Sequence, residues 1–371
     1  MATLQSLIVY IGLFLLMFVL AEKSYRTKNN LFIFVGIICF SIVFGLRYGV
    51  GNDFFAYLRQ YEDFRLYNID LPEEEIGFFS LMKFIAMLNL HYGFFFGFVA
   101  FLQISLLYLS IKCDRYLYRF VLITFFLSCT WLSFCNGLRQ IIALCIWIYA
   151  LRYVEKKQVI QHYLLLYLAT LFHSSAYVLF LFYPILKWRH EWFSKVKIQL
   201  ILLSISLLVM FSGFVSNLVG HFEQVLIASN YGVYLEDRYS HEIFSSKLEI
   251  GLGFYITLFL NVLIIIYSKK FKAFLKSDYL TIIYNLFFVG ILIKYAFINS
   301  HLISRINYYF YGFDFIVGGY FLAFLFYKKS NILYVAMLIY VLTFVAFMYK
   351  MSDNTALFIF NFQDSLFYLK K

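Results

Sequence analysis

The sequence predicts an all-α protein that crosses a membrane many times, and its composition and long apolar runs are the basis for this. Of the 371 residues, 63% are hydrophobic and only 14% are charged, whereas a soluble domain has roughly 45–50% apolar and about 25% charged residues. Aromatic residues reach 23% of the chain, more than a soluble core could bury. These values exclude soluble, disordered, collagen-like and nucleic-acid-binding classes.

The predicted helices follow from the apolar runs, since about 20 apolar residues cross a bilayer. We predict about twelve transmembrane helices, some of them short or re-entrant, in a single transmembrane domain over residues 1–371. In chain order the predicted spans are 4–21, 31–46, 92–111, 120–135, 139–154, 160–173, 174–187, 198–217, 250–267, 278–297, 303–327 and 331–349. Segment 76–90 is apolar on one side and carries Lys83, which is typical of an interfacial helix.

The basic residues predict the orientation of these spans, because Lys and Arg accumulate in cytoplasmic loops. With residues 22–30 in the cytoplasm, the inner segments hold 19 Lys and Arg residues and 5 acidic residues. The outer segments hold 11 Lys and Arg residues and 14 acidic residues. This asymmetry accounts for the chain's net charge of +11 without an acidic partner. It requires residues 160–187 to turn near His173 as two short spans, because one long helix would place a basic cluster outside.

Several segments are thereby predicted on the outer face, where their loops would form the functional site. They are both termini, the first outer loop 47–91 with its interfacial helix, the long loop 218–249 that suits a lid, and the turn 298–305. The first outer loop opens with Arg47, Gly49, Gly51 and Asp53. Two glycines two residues apart permit a tight turn that brings a guanidinium close to a carboxylate. Alternatively, this is an ordinary loop whose arginine reaches the headgroups.

Two further outer segments carry arginines at predicted helix starts. Arg139 follows Asn136 and precedes Gln140, and a helix N-terminus beside a guanidinium favours an anion such as phosphate. Arg305 opens the span that contains Asp314, and Lys294 lies near the outer end of the span before it. Both arginines could instead be interface anchors, and a Lys294–Asp314 contact could be structural or functional.

His173 differs from the other six histidines because small polar residues flank it within apolar helices. A lone histidine is more often structural, but this one is predicted on the same face as Arg47, Asp53 and Arg139. Several arginines suit a diphosphate, and tyrosine-rich rims suit sugars. The sequence has no zinc-binding motif, no Asp-x-Asp and no paired cysteines, so it indicates neither a metal nor another cofactor.

Four motifs in this order resemble the EpsG-like family of Wzy-type polysaccharide polymerases, over roughly residues 30–330. They are Arg47-x-Gly49-x-Gly51-x-Asp53 followed by Tyr57, then Asn136-x-x-Arg139-Gln140, then Phe172-His173-x-Ser175-Ala176, then Arg305-x-x-Tyr308.

The resemblance implies a glycosyltransferase of the bacterial inner (plasma) membrane that makes O-antigen, the polymer of lipopolysaccharide, or a capsule or exopolysaccharide. Such an enzyme joins undecaprenyl-diphosphate-linked oligosaccharides en bloc on the periplasmic face, without a metal or other cofactor. Its partners are the lipid-linked donor and acceptor, membrane lipid and a co-polymerase that regulates chain length.

The resemblance also assigns roles to site residues. The three arginines Arg47, Arg139 and Arg305 would bind diphosphate. The other substrate-binding residues would be Asn136, Gln140, Tyr57 and Tyr308, with Gly49 and Gly51 forming the turn. His173 and Asp53 are both candidates for the general base. We favour His173 because imidazole titrates nearer to neutral pH than a free carboxylate, with Asp53 orienting Arg47 or a sugar hydroxyl.

Two other functions remain open from the sequence. A flippase for lipid-linked oligosaccharides would also bind sugar and diphosphate, but it would need charges along a path across the whole bilayer. A membrane-bound acyltransferase could use His173 as a base, but it would leave the outer arginines without a role.

Overall fold

The computed structural model describes residues 2–67, 69–188, 191–212, 251–298, 300–354 and 361–362, and 82% of them are helical. The predicted lid, 218–249, lies outside the described residues. Before residue 189 the elements are α1 (Ala2–Thr27), α2 (Leu31–Gly45), β1 (Arg47–Tyr48), α3 (Phe54–Tyr67), α4 (Ile76–Met87), α5 (Tyr92–Ile111), a 3₁₀ helix (Arg115–Leu117), α6 (Tyr118–Leu127), α7 (Trp131–Cys135), α8 (Leu138–Glu155), α9 (Val159–Phe172), a second 3₁₀ helix (Ser174–Leu181) and α10 (Tyr183–Leu186). After it come α11 (Val196–Phe211), α12 (Leu252–Leu275), α13 (Asp278–Ala296), α14 (His301–Tyr311), α15 (Asp314–Tyr327), α16 (Ile332–Asn354) and β2 (Asn361–Phe362).

Five of the described helices are long and apolar enough to cross a membrane. They are Gln5–Thr27, Tyr92–Ile111, Leu252–Leu275, Asp278–Ala296 and Ile303–Tyr327, the last of which comprises most of α14 and all of α15. Shorter apolar helices accompany them at Leu31–Gly45, Ile76–Met87, Val159–Phe172, Val196–Phe211 and Ile332–Met348. The prediction of a mostly helical protein with several candidate membrane-spanning helices is confirmed, and the count of about twelve spans stays a prediction.

The chain divides into two compact units, one formed by Met1–Trp188 and Gly318–Lys371 and the other by Arg189–Val317. In the first unit α2 packs closely against α5, because glycines face each other. A Cβ on Gly45 would lie 2.7 Å from the carbonyl oxygen of Gly93. Small residues allow two membrane helices to approach closely. This contact fixes the end of α2 at Gly45, two residues before Arg47.

Helix α8 is the centre of the first unit and packs against α5 and α9. Thirteen of its 18 residues are buried, as expected of a helix that is apolar on all sides. Its C-terminal end carries the buried Arg152, which pairs with Asp114 at 2.9 Å and Glu155 at 3.0 Å. Its N-terminal end begins at Leu138, beside Arg139, and is the end that carries the predicted site.

The predicted span 120–135 is two short helices in the structure. Helix α6 ends at Leu127, and Cys129 has a left-handed φ of 60° before α7 begins. The indole Nε1 of Trp131 donates to the carbonyl oxygen of Phe126 at 3.2 Å. A backbone break at membrane depth is tolerated when the freed groups are satisfied inside the protein. With ten residues, about 15 Å of helix, α6 is half as long as a bilayer is thick.

The chain reverses its direction at His173, as the charge pattern predicts. Helix α9 ends at Phe172, and His173 has an extended backbone before the 3₁₀ helix begins. The ring of Tyr163 stacks on Phe180 at 5.6 Å and lies 5.5 Å from the ring of Tyr183. These contacts pair residues before and after the turn, so the two segments run antiparallel with His173 at the tip.

In the second unit α13 packs against α11 and α14. The ammonium of Lys294 lies 4.0 Å from the centroid of the Tyr311 ring. The carboxylate of Asp314 accepts from the backbone N–H of Phe315 at 2.6 Å. The two charges that the sequence places inside spans therefore have these local partners within the unit.

Candidate active site

A buried carboxylate, Glu75, brings two of the predicted site residues together. Its Oε2 pairs with Nη1 of Arg139, and its Oε1 contacts Nδ1 of His173. The backbone N–H of Ser174 also donates to Oε1, at 3.4 Å. The side chain of Glu75 is only 5% exposed, whereas those of Arg139 and His173 are 35% and 22% exposed. The carboxylate thus lies beneath a guanidinium and an imidazole that both reach the surface of the cluster.

Glu75 reaches this position because α4 packs against the end of α9. Glu75 directly precedes α4 and has a left-handed φ of 53°. Two residues later, a Cβ on Gly77 would lie 2.9 Å from Cβ of Leu171 and 3.0 Å from its carbonyl oxygen. Only glycine allows this close approach, and His173 follows Leu171 by two residues. The contact between the helices therefore sets the distance between the carboxylate and the imidazole.

The Gly77→Ala substitution is expected to destabilise the protein by about 1–3 kcal/mol, because the added methyl group overpacks this contact. It should lower the melting temperature of the protein in detergent. Gly12→Ala is the matched control, since no atom lies within 4 Å of its added Cβ. Equal melting temperatures for the two variants would contradict the packing argument.

Two aromatic rings contact the guanidinium of Arg139. Its central carbon lies 5.9 Å from the ring centroid of Tyr57 and 5.7 Å from that of Phe79. Tyr57 is buried on α3, and Phe79 is buried on α4. Cation–π contacts of this kind stabilise a partly desolvated arginine. The predicted substrate-binding residue Tyr57 thus belongs to the same cluster as Arg139.

The surroundings of Glu75 determine which protonation states the cluster adopts. Burial alone would raise the pKa of this carboxyl, but the hydrogen bond from His173 and the charge of Arg139 outweigh burial and hold the pKa below its ordinary value. An ionised carboxylate can only accept hydrogen bonds, so the Nδ1 atom of His173 that contacts it carries a proton. A neutral imidazole then keeps its lone pair on Nε2.

The lowered pKa of Glu75 also predicts how stability depends on pH. Because the pKa is lower in the folded protein, the ionised carboxylate stabilises the fold above its ordinary pKa of 4.5. That contribution is lost as the pH falls through the folded value. We expect the melting temperature of the solubilised protein to fall below pH 4.5, and to fall less steeply for Glu75→Gln. The same acid slope for both proteins would contradict this expectation.

Asp53 and Asn136 join the first predicted motif to the second. Oδ2 of Asp53 accepts from the backbone N–H of Gly137 at 3.0 Å, and Oδ1 of Asn136 accepts from the backbone N–H of Asp53 at 2.9 Å. Gly137 has a left-handed φ of 51° and directly precedes α8. These contacts are reciprocal, and they place Asp53 against the backbone at the start of the helix.

Arg47 is almost fully buried, with 1% exposure. Its Nη1 and Nη2 atoms donate to the carbonyl oxygens of Phe44 at 3.0 Å and Cys135 at 3.2 Å. Its central carbon lies 4.6 Å from the ring centroid of Phe96. The contacts of Arg47 are therefore with the end of α2, with the residue that ends α7, and with α5.

The remaining predicted residues lie in three places. Gln140 is half-buried in the first turn of α8. Gly49 and Gly51 both have positive φ angles, 67° and 99°, as the predicted turn requires. Arg305 and Tyr308 are exposed on α14, in the second compact unit. The structure thus brings together Tyr57, Arg139 and His173, and adds Glu75 to them.

The model of the EpsG family matches residues 30–363, which is most of the chain. No curated protein and no solved structure matches the chain. Within the described ranges, no three His, Cys, Asp or Glu side chains are placed to hold a metal ion.

Proposed function

The chain belongs to the EpsG family of polysaccharide-polymerase-like membrane proteins, and we propose that it is a Wzy-type glycosyltransferase that works without a metal. The family implies a polymerase that uses lipid-linked sugars in general. More specifically, we propose that the protein joins undecaprenyl-diphosphate-linked oligosaccharide units en bloc, as in O-antigen, capsule or exopolysaccharide synthesis. The observation that carries it is the contact of Glu75 with both His173 and Arg139.

In the proposed reaction His173 is the general base. Its Nε2 takes the proton from the acceptor hydroxyl, and that oxygen attacks the anomeric carbon of the donor sugar. Glu75 holds the Nδ1 proton and stabilises the imidazolium that forms, as the buried carboxylate does in other carboxylate–histidine pairs. A positioned base of this kind contributes roughly 10²–10⁴-fold to the rate.

Arg139 acts on the leaving group in the same step. As the bond between the anomeric carbon and the diphosphate oxygen breaks, undecaprenyl diphosphate leaves with the electron pair. A guanidinium has five N–H donors, so a contact with Glu75 leaves others for phosphate oxygens. The growing chain is the donor, and the non-reducing end of a new lipid-linked unit is the acceptor. Arg305 is proposed to bind a second diphosphate.

The proposal places the cluster on the periplasmic face of the bacterial inner membrane, with about twelve spans and both termini outside. Its support is the positive-inside asymmetry of the loops. In a background without native cysteines, we expect an impermeant thiol reagent to label Ser174→Cys but not Lys195→Cys. Labelling at position 195 but not at 174 would contradict the orientation.

The direct test is reconstitution in liposomes with a lipid-linked repeat unit. Formation of dimers and longer chains on the carrier, with release of undecaprenyl diphosphate, is the expected result. Deleting the gene separates the proposal from the alternatives. A polymerase mutant keeps single repeat units, a flippase mutant loses even those, and an acyltransferase mutant keeps full-length chains.

A further inference from the structure

We propose that the first-loop motif is a clamp on the start of α8, and that Asp53 is a positioning residue rather than the base. The α8 clamp comprises Arg47, Gly51, Asp53 and Asn136. It acts on the backbone of residues 135–137, directly before the helix that carries Arg139. The inference rests on the proposed function only for its activity readout, since the contacts of the clamp stand on their own.

The clamp closes through two reciprocal hydrogen bonds. The carboxylate of Asp53 accepts from the N–H of Gly137, and the amide oxygen of Asn136 accepts from the N–H of Asp53. The first N–H groups of a helix have no partner within the helix. A carboxylate there satisfies one such donor and complements the positive end of the helix dipole. Asp53 thus caps α8 from 84 residues away in the sequence.

Two other members of the clamp meet at the carbonyl group of Cys135. Nη2 of Arg47 donates to this oxygen at 3.2 Å, and a Cβ on Gly51 would lie 3.1 Å from it. Gly51 also has a φ of 99°, which other residues rarely adopt. Any larger residue at position 51 would push away the carbonyl that Arg47 binds. Three of the four residues in the Arg-x-Gly-x-Gly-x-Asp motif, Arg47, Gly51 and Asp53, therefore contact one backbone segment of three residues.

Arg139 follows this segment by two residues, so the clamp sets the backbone position from which the Arg139 side chain extends. The guanidinium must meet both Glu75 and the rings of Tyr57 and Phe79. Displacements of about 1 Å in such a site can lower turnover by about 100-fold. A clamp built around a backbone N–H needs an acceptor oxygen at position 53, whereas a general base needs a group that takes a proton.

Substitutions at position 53 distinguish the need for an acceptor oxygen from the need for a group that takes a proton. In the reconstituted assay Asp53→Asn keeps an acceptor for the Gly137 N–H, so it is expected to retain at least about a third of the wild-type kcat, with an unaltered pH profile. Asp53→Ala removes the acceptor and is expected to lose about 10-fold or more. Asp70→Ala, an exposed acid of the same loop, is the control. If Asp53→Asn is as inactive as Asp53→Ala, Asp53 acts through its charge and the inference is wrong.

A second measurement does not depend on activity. Hydrogen exchange of amides 137–141 in the purified protein should be faster in Asp53→Ala and Asn136→Ala than in wild type. It should be close to wild type in Asp53→Asn and Asn136→Asp, which keep the acceptor oxygens. Unchanged exchange in both alanine variants would overturn the clamp even if the protein polymerised sugars. The expected exchange pattern in a protein without polymerase activity would instead refute only the proposed function.

Discussion

Glu75→Gln is expected to slow polymerisation on the order of 10²–10⁴-fold, although the substitution barely changes the shape of the side chain. The amide can present either its oxygen or its NH₂ group to Nδ1 of His173, so the tautomer is no longer fixed. It also carries no charge to stabilise the imidazolium or to pair with Arg139. Initial rates in liposomes with a lipid-linked repeat unit measure the effect.

Glu74→Gln is the matched control for this prediction. Glu74 is the preceding residue of the same loop and is exposed, whereas Glu75 is buried. The two variants lose the same charge from adjacent positions, so only the contact with His173 and Arg139 distinguishes them. Equal rates for both variants, at equal protein levels, would show that the buried carboxylate has no catalytic role.

Arg139→Lys is expected to lower polymerisation on the order of 10–100-fold, since the charge remains but the planar fork is lost. A lysine cannot pair with Glu75 and hold a phosphate oxygen in the same fixed geometry. It also loses the planar group that lies near the rings of Tyr57 and Phe79. Because the leaving diphosphate gains charge in the transition state, we expect kcat to fall more than KM rises.

Arg59→Lys provides the control, because Arg59 is exposed on α3 of the same outer loop. It should keep close to the wild-type rate. A normal rate for Arg139→Lys would mean that this arginine only anchors the helix. A raised KM with a normal kcat would mean that Arg139 binds the substrate equally well in the ground state and the transition state. It would then have no specific role at the leaving group.

Much of the fold could be predicted from composition and charge. The boundaries of α5 agree with the apolar window, and the turn at His173 follows from the basic clusters on either side of residues 160–187. The break at Cys129 could not be predicted, since the window 120–135 contains no charged residue, glycine or proline that would interrupt a helix. It depends on an indole N–H that satisfies a carbonyl in the preceding turn, which no hydropathy pattern records.

The main omission at the site was Glu75. It stands third in the run Glu73-Glu74-Glu75, and three adjacent acids in a loop normally indicate a solvated segment. Tertiary packing of α4 on α9 buries only the last of the three. A local signal existed: the acid directly precedes an apolar helix whose second residue is Gly77. That pattern indicates a close approach of another backbone, but it does not indicate which one.

The motif residues were recognised as a group, but the contacts of each came only from the structure. Asp53 and Gly137 are 84 positions apart, and their hydrogen bond leaves no trace in the spacing of either motif. The spacing places an arginine and a carboxylate near a turn, which fits an ion pair as well as two separate contacts. Arg47 and Asp53 in fact bind different backbone groups of the same segment.

The hairpin that carries His173 is shorter than a bilayer is thick. The 14 residues of α9 rise about 21 Å, whereas the hydrocarbon core measures about 30 Å. In the proposed orientation, a helix that starts at the inner boundary ends about 9 Å beneath the outer one. Sugar transfer would then take place in a local depression of the membrane surface, to which the carrier's diphosphate must descend. Hydrophobic mismatch would couple turnover to lipid length, and bilayers with shorter acyl chains would bring their headgroups level with the tip of the hairpin.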